Sequence, residues 1–271
     1  MKLAVSNIAW PREQDDAVAT VLNDLGIAAI EIAPTKLFPQ PLAANDAELD
    51  AARQFWSKRG IAIVAAQALL FGKPELTLFE SAATRHATLD YLSGIVRLCA
   101  RLGAGALVFG SPKNRRVGSL PKEEADGIAV ALFTQLGEIA AKAGTCVVLE
   151  ANPPVYGADF ITTAAEAIEL VERVNHPGFR LHLDTGCMTI AGDPIRETLE
   201  RGRPFLRHFH VSAPNLDPPI ASDRVDHSAY TAELRHIGYS GWVSLEMREV
   251  QPFTLGAFTE SLQWITRQYT S

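Results

Sequence analysis

Residues 180–186 read RLHLDTG, a short apolar run that ends in a carboxylate and then turns at Thr-Gly. The same design recurs three times nearby. Residues 146–153 read CVVLEANP with Glu150, 207–212 read RHFHVS with His210, and 242–247 read WVSLEM with Glu246. Counting Asp184 in the first run, the four groups are 34, 26 and 36 residues apart, about the length of one strand-helix unit. A carboxylate or imidazole at the carboxyl end of a buried strand is costly to desolvate unless something uses it. On successive parallel strands, four such groups converge.

Outward from these runs, β-type segments alternate with helix-patterned ones eight times. Strands are expected at 3–8, 28–33, 61–66, 106–110, 146–150, 180–184, 206–211 and 242–246. They are near-continuously apolar, as parallel strands buried on both faces are. Helices with a 3.6-residue period fall at 13–25, 46–59, 80–102, 121–142, 162–174, 194–202, 227–237 and 255–268. Pro121 before an acidic first turn, and Thr162 or Thr163 ahead of Glu166, mark helix starts. Doubly wound sheets alternate in the same way. The count of eight, polar residues at many strand ends and the lack of a glycine-rich phosphate loop after the first strand favour a closed (β/α)8 TIM barrel. No linker-like stretch interrupts the alternation, so residues 1–271 are expected to form one α/β domain.

With 47% hydrophobic and 21% charged residues, the composition is that of a soluble globular protein. A net charge of −6 offers no general attraction to nucleic acid or anionic membrane. Cys99, Cys146 and Cys187 lack any CxxC spacing, which fits a reducing compartment. The apolar start MKLAVSNIAW is too short for a signal peptide, and the longest apolar run, 61–71, is too short to span a bilayer. A cytoplasmic location follows as the expectation.

Three carboxylates and one imidazole at one point form an oxygen-rich site for a divalent cation. Glu150, Asp184, His210 and Glu246 are the expected ligands of one ion: manganese, magnesium, cobalt or zinc. His182 and His208 each precede a ligand by two residues, so strand alternation turns them to the same interior, one layer lower. After the fourth strand, GSPKNRR places Lys113, Arg115 and Arg116 on a loop over the active face, where cations clamp a substrate anion. Glu31, Gln67 and Trp10 follow or end the first three strands and are placed to line a pocket. Trp10, Phe71 or Phe109 is suited to cover a ligand face, and FGKPELTLF after the third strand is long enough for a lid.

The LE, LDTG, HFHVS and GYSGWVSLEM segments resemble the xylose isomerase-like barrel superfamily. That group of sugar phosphate isomerases and epimerases includes ketose 3-epimerases, inosose-processing enzymes and hydroxypyruvate isomerase. The resemblance implies that Glu150 and Glu246 bind metal on opposite faces of a sugar, one removing a proton beside the carbonyl and the other returning one. Ketose 3-epimerases carry a histidine three residues after the strand-six aspartate and an arginine six residues after the strand-seven histidine. Here those positions are Cys187 and Leu216, so Cys187 is assigned to substrate contact but a free ketohexose is disfavoured. Relatives that repair abasic DNA need further histidines where this chain has Gln67 and Gly110, which excludes that activity.

The expected function is therefore a divalent-metal-dependent isomerase or epimerase that acts through an enediolate on a keto-sugar, sugar phosphate, sugar acid or cyclitol derivative. A lyase of the same fold shares the first step, and a sugar-binding barrel without chemistry is the third reading. The expected partner is a small carbohydrate, with neither nucleic acid nor membrane, bound to a monomer or a homo-oligomer.

Overall fold

In the computed structural model, which describes residues 1–270, the eight apolar runs form β1 (Lys2–Ser6), β2 (Ala29–Ile32), β3 (Ala62–Ala66), β4 (Ala106–Phe109), β5 (Val147–Leu149), β6 (Phe179–Asp184), β7 (Leu206–Val211) and β8 (Trp242–Leu245). Each pairs in parallel with the next, and β8 closes on β1 with Lys2 opposite Trp242 and Val5 opposite Leu245. The architecture is a (β/α)8 barrel.

Ten helices surround it among the described residues: α1 (Asp15–Asp24), α2 (Pro34–Leu37), α3 (Asp46–Ser57), α4 (Ala82–Leu102), α5 (Lys122–Lys142), α6 (Ala164–Val174), α7 (Thr185–Ala191), α8 (Ile195–Gly202), α9 (His227–His236) and α10 (Leu255–Thr270). Eight lie where the apolar period predicts them. The short α2 and α7 are unpredicted, because segments of four and seven residues are too short to display a helical period. Local chemistry sets the ends. Thr163 and Glu166 form a reciprocal capping box at the start of α6, and Gly103, at φ +104°, closes α4 in a conformation a side chain resists.

Strands β4, β5 and β8 stop one residue earlier than predicted, so Gly110, Glu150 and Glu246 stand just past them. Glu150 and Glu246 remain tied to the barrel by single backbone bonds, from their N–H groups to the carbonyls of Phe109 (3.1 Å) and Val211 (2.9 Å). Alternation along β6 turns Leu181 and Leu183 out towards the helices and His182 and Asp184 inward. Register then sets His182 opposite His208 and Asp184 opposite His210.

The main core lies between barrel and helices. Phe133 of α5 stacks on Phe179 of β6 at 4.7 Å and meets Phe109 of β4 edge-on at 5.3 Å. Each fully buried ring of this kind contributes about 1.5–3 kcal/mol. The helix approaches β6 so closely that a methyl group on Gly178 would stand 2.0 Å from the Gly137 carbonyl oxygen. Replacing Gly178 with alanine is therefore expected to lower the unfolding free energy by about 1–3 kcal/mol, as overpacking does. A urea midpoint equal to that of the parent protein would contradict this packing.

Candidate metal and active site

Glu150, Asp184, His210 and Glu246 each offer a ligand atom within 4.8 Å of the others. All four are held at the carboxyl end of the barrel, the carboxylates by surrounding donors and His210 by carboxylate acceptors. Asp184 is the N-cap of α7: one oxygen accepts the Cys187 N–H at 2.6 Å, while Oδ2 is buried without a hydrogen-bond partner among the described residues. The turn that follows is stitched to β7. Thr185 Oγ1 donates to the Ser212 carbonyl at 2.7 Å and accepts the Ser212 N–H at 2.9 Å. A Cβ on Gly186 would stand 2.5 Å from Ser212 Oγ, so the DTG and HVS segments constrain each other.

His210 bridges two levels of the barrel. Its Nδ1 lies 3.1 Å from Glu246 Oε2, and its Nε2 donates to Glu31 Oε2 at 2.8 Å. His208 Nε2 reaches the same Glu31 oxygen at 3.2 Å. Burial works against charge on His210, yet the Glu31 and Glu246 carboxylates outweigh it and hold the imidazole well above its usual value. Burial likewise opposes ionisation of Glu31, but His210 and His208 hold its carboxyl well below the normal range. His182 is neutral, pushed well below its ordinary value by burial and then by the other two histidines. Its Nε2 is 3.8 Å from Glu150 Oε1.

The two glutamates have different supports. Gln67 Nε2 donates to Glu246 Oε1 at 2.5 Å. Asn152 Nδ2 donates to Glu150 Oε2 at 2.9 Å, while its Oδ1 accepts from Arg115 Nη2 at 3.0 Å. Gly110 makes room for this pair, since a Cβ there would stand 2.3 Å from Glu150 Oε2. Burial pushes the Glu150 carboxyl up to about 8, reinforced by the charges of Glu246 and Asp184. Asp184 is raised by burial and by Glu246.

Four expected substrate contacts are placed elsewhere. Glu31 is fully buried and serves His208 and His210. Arg115 turns inward and also donates to the carbonyls of Glu150 (2.6 Å) and Ile161 (3.1 Å), the latter also accepting the Asn152 N–H at 3.2 Å. Arg116 lies beside Asp159 at 3.9 Å, out on the surface. Cys187 is buried at the start of α7 with its sulfur 3.7 Å from Asn152 Nδ2. Gln67 and Lys113 do line the cavity that opens from the carboxylates, whereas Trp10 and Phe109 are core residues without exposure. Asn152 was missed by sequence reasoning, although its position two residues after Glu150 puts it on the same side of an extended chain.

That cavity has a volume of about 730 Å³ and contains both Glu150 and Glu246 in its wall. Ala68, Ser111 and Leu216 line it with φ of +55°, +46° and +57°, a strained backbone of the sort found at functional sites, costing about 1–3 kcal/mol each. A separate cleft of about 670 Å³ lies between the loop after β2 and α3, away from the carboxylates.

Residues 19–268 match the sequence profile of the xylose isomerase-like TIM barrel family. The chain belongs to that family. D-psicose 3-epimerase of Ruminiclostridium cellulolyticum is 31% identical over 86 residues, a stretch covering 32% of this chain and 29% of that relative. Among solved structures, a D-psicose 3-epimerase crystallised in the presence of D-fructose superposes with a TM-score of 0.83 at 20% identity, over 100% of both chains. A 3-keto-D-glucoside 4-epimerase from E. coli gives 0.81 at 20%, covering 98% of this family member and 99% of the other chain. The zinc-containing IOLI protein gives 0.74 at 22%, covering 99% and 96%. At such identities these likenesses speak for the fold. No helix among the described residues is long and apolar enough to cross a membrane.

The raised Glu150 value has a measurable sign. Between pH 4.5, its ordinary value, and about 8, Glu150 holds a proton in the folded metal-free chain that it releases in the unfolded one, so its contribution to stability falls as pH rises through that window. Glu150→Gln is expected to raise the melting temperature of metal-free protein at pH 8.5, by about 2–4 °C per kcal/mol of relieved repulsion. The gain should shrink towards pH 5. Equal melting temperatures at both pH values would contradict the assigned repulsion.

Proposed function

We propose that this barrel is a divalent-metal-dependent isomerase or epimerase of a keto-sugar or sugar derivative. The observation that carries the reading is the convergence of Glu150 and Glu246, supported by separate donor sets, with Asp184 and His210 within 4.8 Å. Three carboxylates and an imidazole are the donor types that manganese, magnesium, cobalt and zinc accept. Two further features fit a cation there: the buried, unpartnered Asp184 Oδ2, and the burial, reinforced by the charges of Glu246 and Asp184, that drives Glu150 up. The epimerase names of the similar proteins agree with this reading.

A bound divalent ion supplies Lewis-acid charge that stabilises an enediolate. The chain's own groups move the proton. Glu246, fixed by the Gln67 amide at Oε1, is oriented to accept a proton from the carbon next to the carbonyl. Glu150, fixed by Asn152 at Oε2, returns one to the opposite face. Because epimerisation runs both ways, each carboxyl is base in one direction and acid in the other. Glu31 holds Nε2 of His210 and so keeps Nδ1 facing the cluster, the support that metal-binding histidines ordinarily receive.

Incubating metal-loaded protein with a panel of keto-sugars in D₂O tests the reading. The expected product has the substrate's connectivity and one solvent deuterium on the carbon beside the carbonyl. Loss of water or of an aglycone would instead identify elimination, and the absence of deuterium from every candidate would refute proton transfer. Glu150→Gln and Glu246→Gln should each reduce turnover by at least about 10²–10⁴-fold, the usual contribution of a positioned acid or base, while metal content measured by mass spectrometry stays near one ion per chain. Near-normal turnover in either variant would contradict its role.

A further inference from the structure

The carboxylates occupy only the inner end of the 730 Å³ cavity. Sites of about 300–1,000 Å³ enclose drug-sized ligands, so a single sugar ring would leave much of this one unfilled. The rest of its wall includes Leu70, Phe71, Pro74 and Pro112 on the segments after β3 and β4, with Ile8 after β1 and Leu216 after β7. Gln67 is bound to Glu246 beside Glu150, while of the polar wall residues Thr35, Ser111 and Asn114, the Asn114 amide is engaged by the carbonyls of Lys73 and Leu76.

Phe71 is 69% exposed, on the segment that joins β3 to α4. A large ring left in water at the wall of an apolar recess is a contact surface for a ligand. The cations around the cavity are mostly engaged. Lys36 donates to the Trp10 carbonyl and lies 3.8 Å from Glu249, and Lys73 lies 3.9 Å from Glu75. Arg115 is consumed by backbone carbonyls. Lys113 alone is exposed and without an ion pair among the described residues, too little to bind a phosphate in preference to an apolar group.

We infer that the substrate is a sugar bearing an aromatic substituent, with the sugar ring at the carboxylates and the substituent along the apolar wall against Phe71. This deepens the isomerase or epimerase reading and rests on it. Calorimetric titration of the metal-loaded protein with methyl and phenyl 3-keto-β-D-glucopyranosides, a pair differing only in the substituent, provides the test, with D-fructose and fructose 6-phosphate as comparisons. The phenyl glycoside should bind at least tenfold tighter than the methyl glycoside, and Phe71→Ser should shrink the gap to less than about threefold. Equal affinities, a gap that survives Phe71→Ser, or tighter binding of fructose 6-phosphate than of the phenyl glycoside would each overturn the inference while leaving the sugar reading intact. Failure of every sugar to bind would overturn both.

Discussion

Three carboxylates brought within 4.8 Å of one another in a buried site constrain everything around them. Two like charges about 4 Å apart repel by about 4 kcal/mol even at an effective dielectric of about 20. The surrounding groups act as counterweights: an imidazole supported from below by Glu31, the Gln67 amide on Glu246, and the Arg115–Asn152 pair on Glu150. They reduce the repulsion without removing it, as the raised Glu150 and Asp184 values record. A fold that keeps such a cluster does so at a cost in stability, and a cation is the partner that would relieve it.

The barrel makes the convergence unavoidable. Once β6 and β7 pair with Asp184 opposite His210, both side chains enter one interior layer, and the closure of β8 on β1 brings Glu246 to the same rim. The alternation that turns Asp184 and His210 into the interior also sets His182 and His208 beneath them, all four buried. The layer of Asp184 and His210 and its support are thus consequences of one register.

The sequence made the strands and the four-residue cluster legible because buried parallel strands are continuous apolar runs and a charge ending such a run stands out. It was less informative about loops. Arg115 reads as a solvent-facing cation, since nothing in GSPKNRR reveals the carbonyls of Glu150 and Ile161 and the Asn152 amide oxygen that receive it inside. Glu31 reads as a pocket residue because its partners, His208 and His210, are 177 and 179 positions away. Helix α7 escaped notice because it depends on a cap supplied by Asp184 itself. The loops also shape the cavity: with Cys187 turned to Asn152 and two of three expected cations unavailable, its wall includes apolar groups on the segments after β3 and β4.

The most direct test of the central claim is anomalous diffraction from crystals of this protein soaked in manganese. The account predicts one anomalous peak per chain, about 2.0–2.3 Å from oxygens of Glu150, Asp184 and Glu246 and from Nδ1 of His210. A map with no peak among these four side chains, or with the ion bound elsewhere on the barrel, would contradict it.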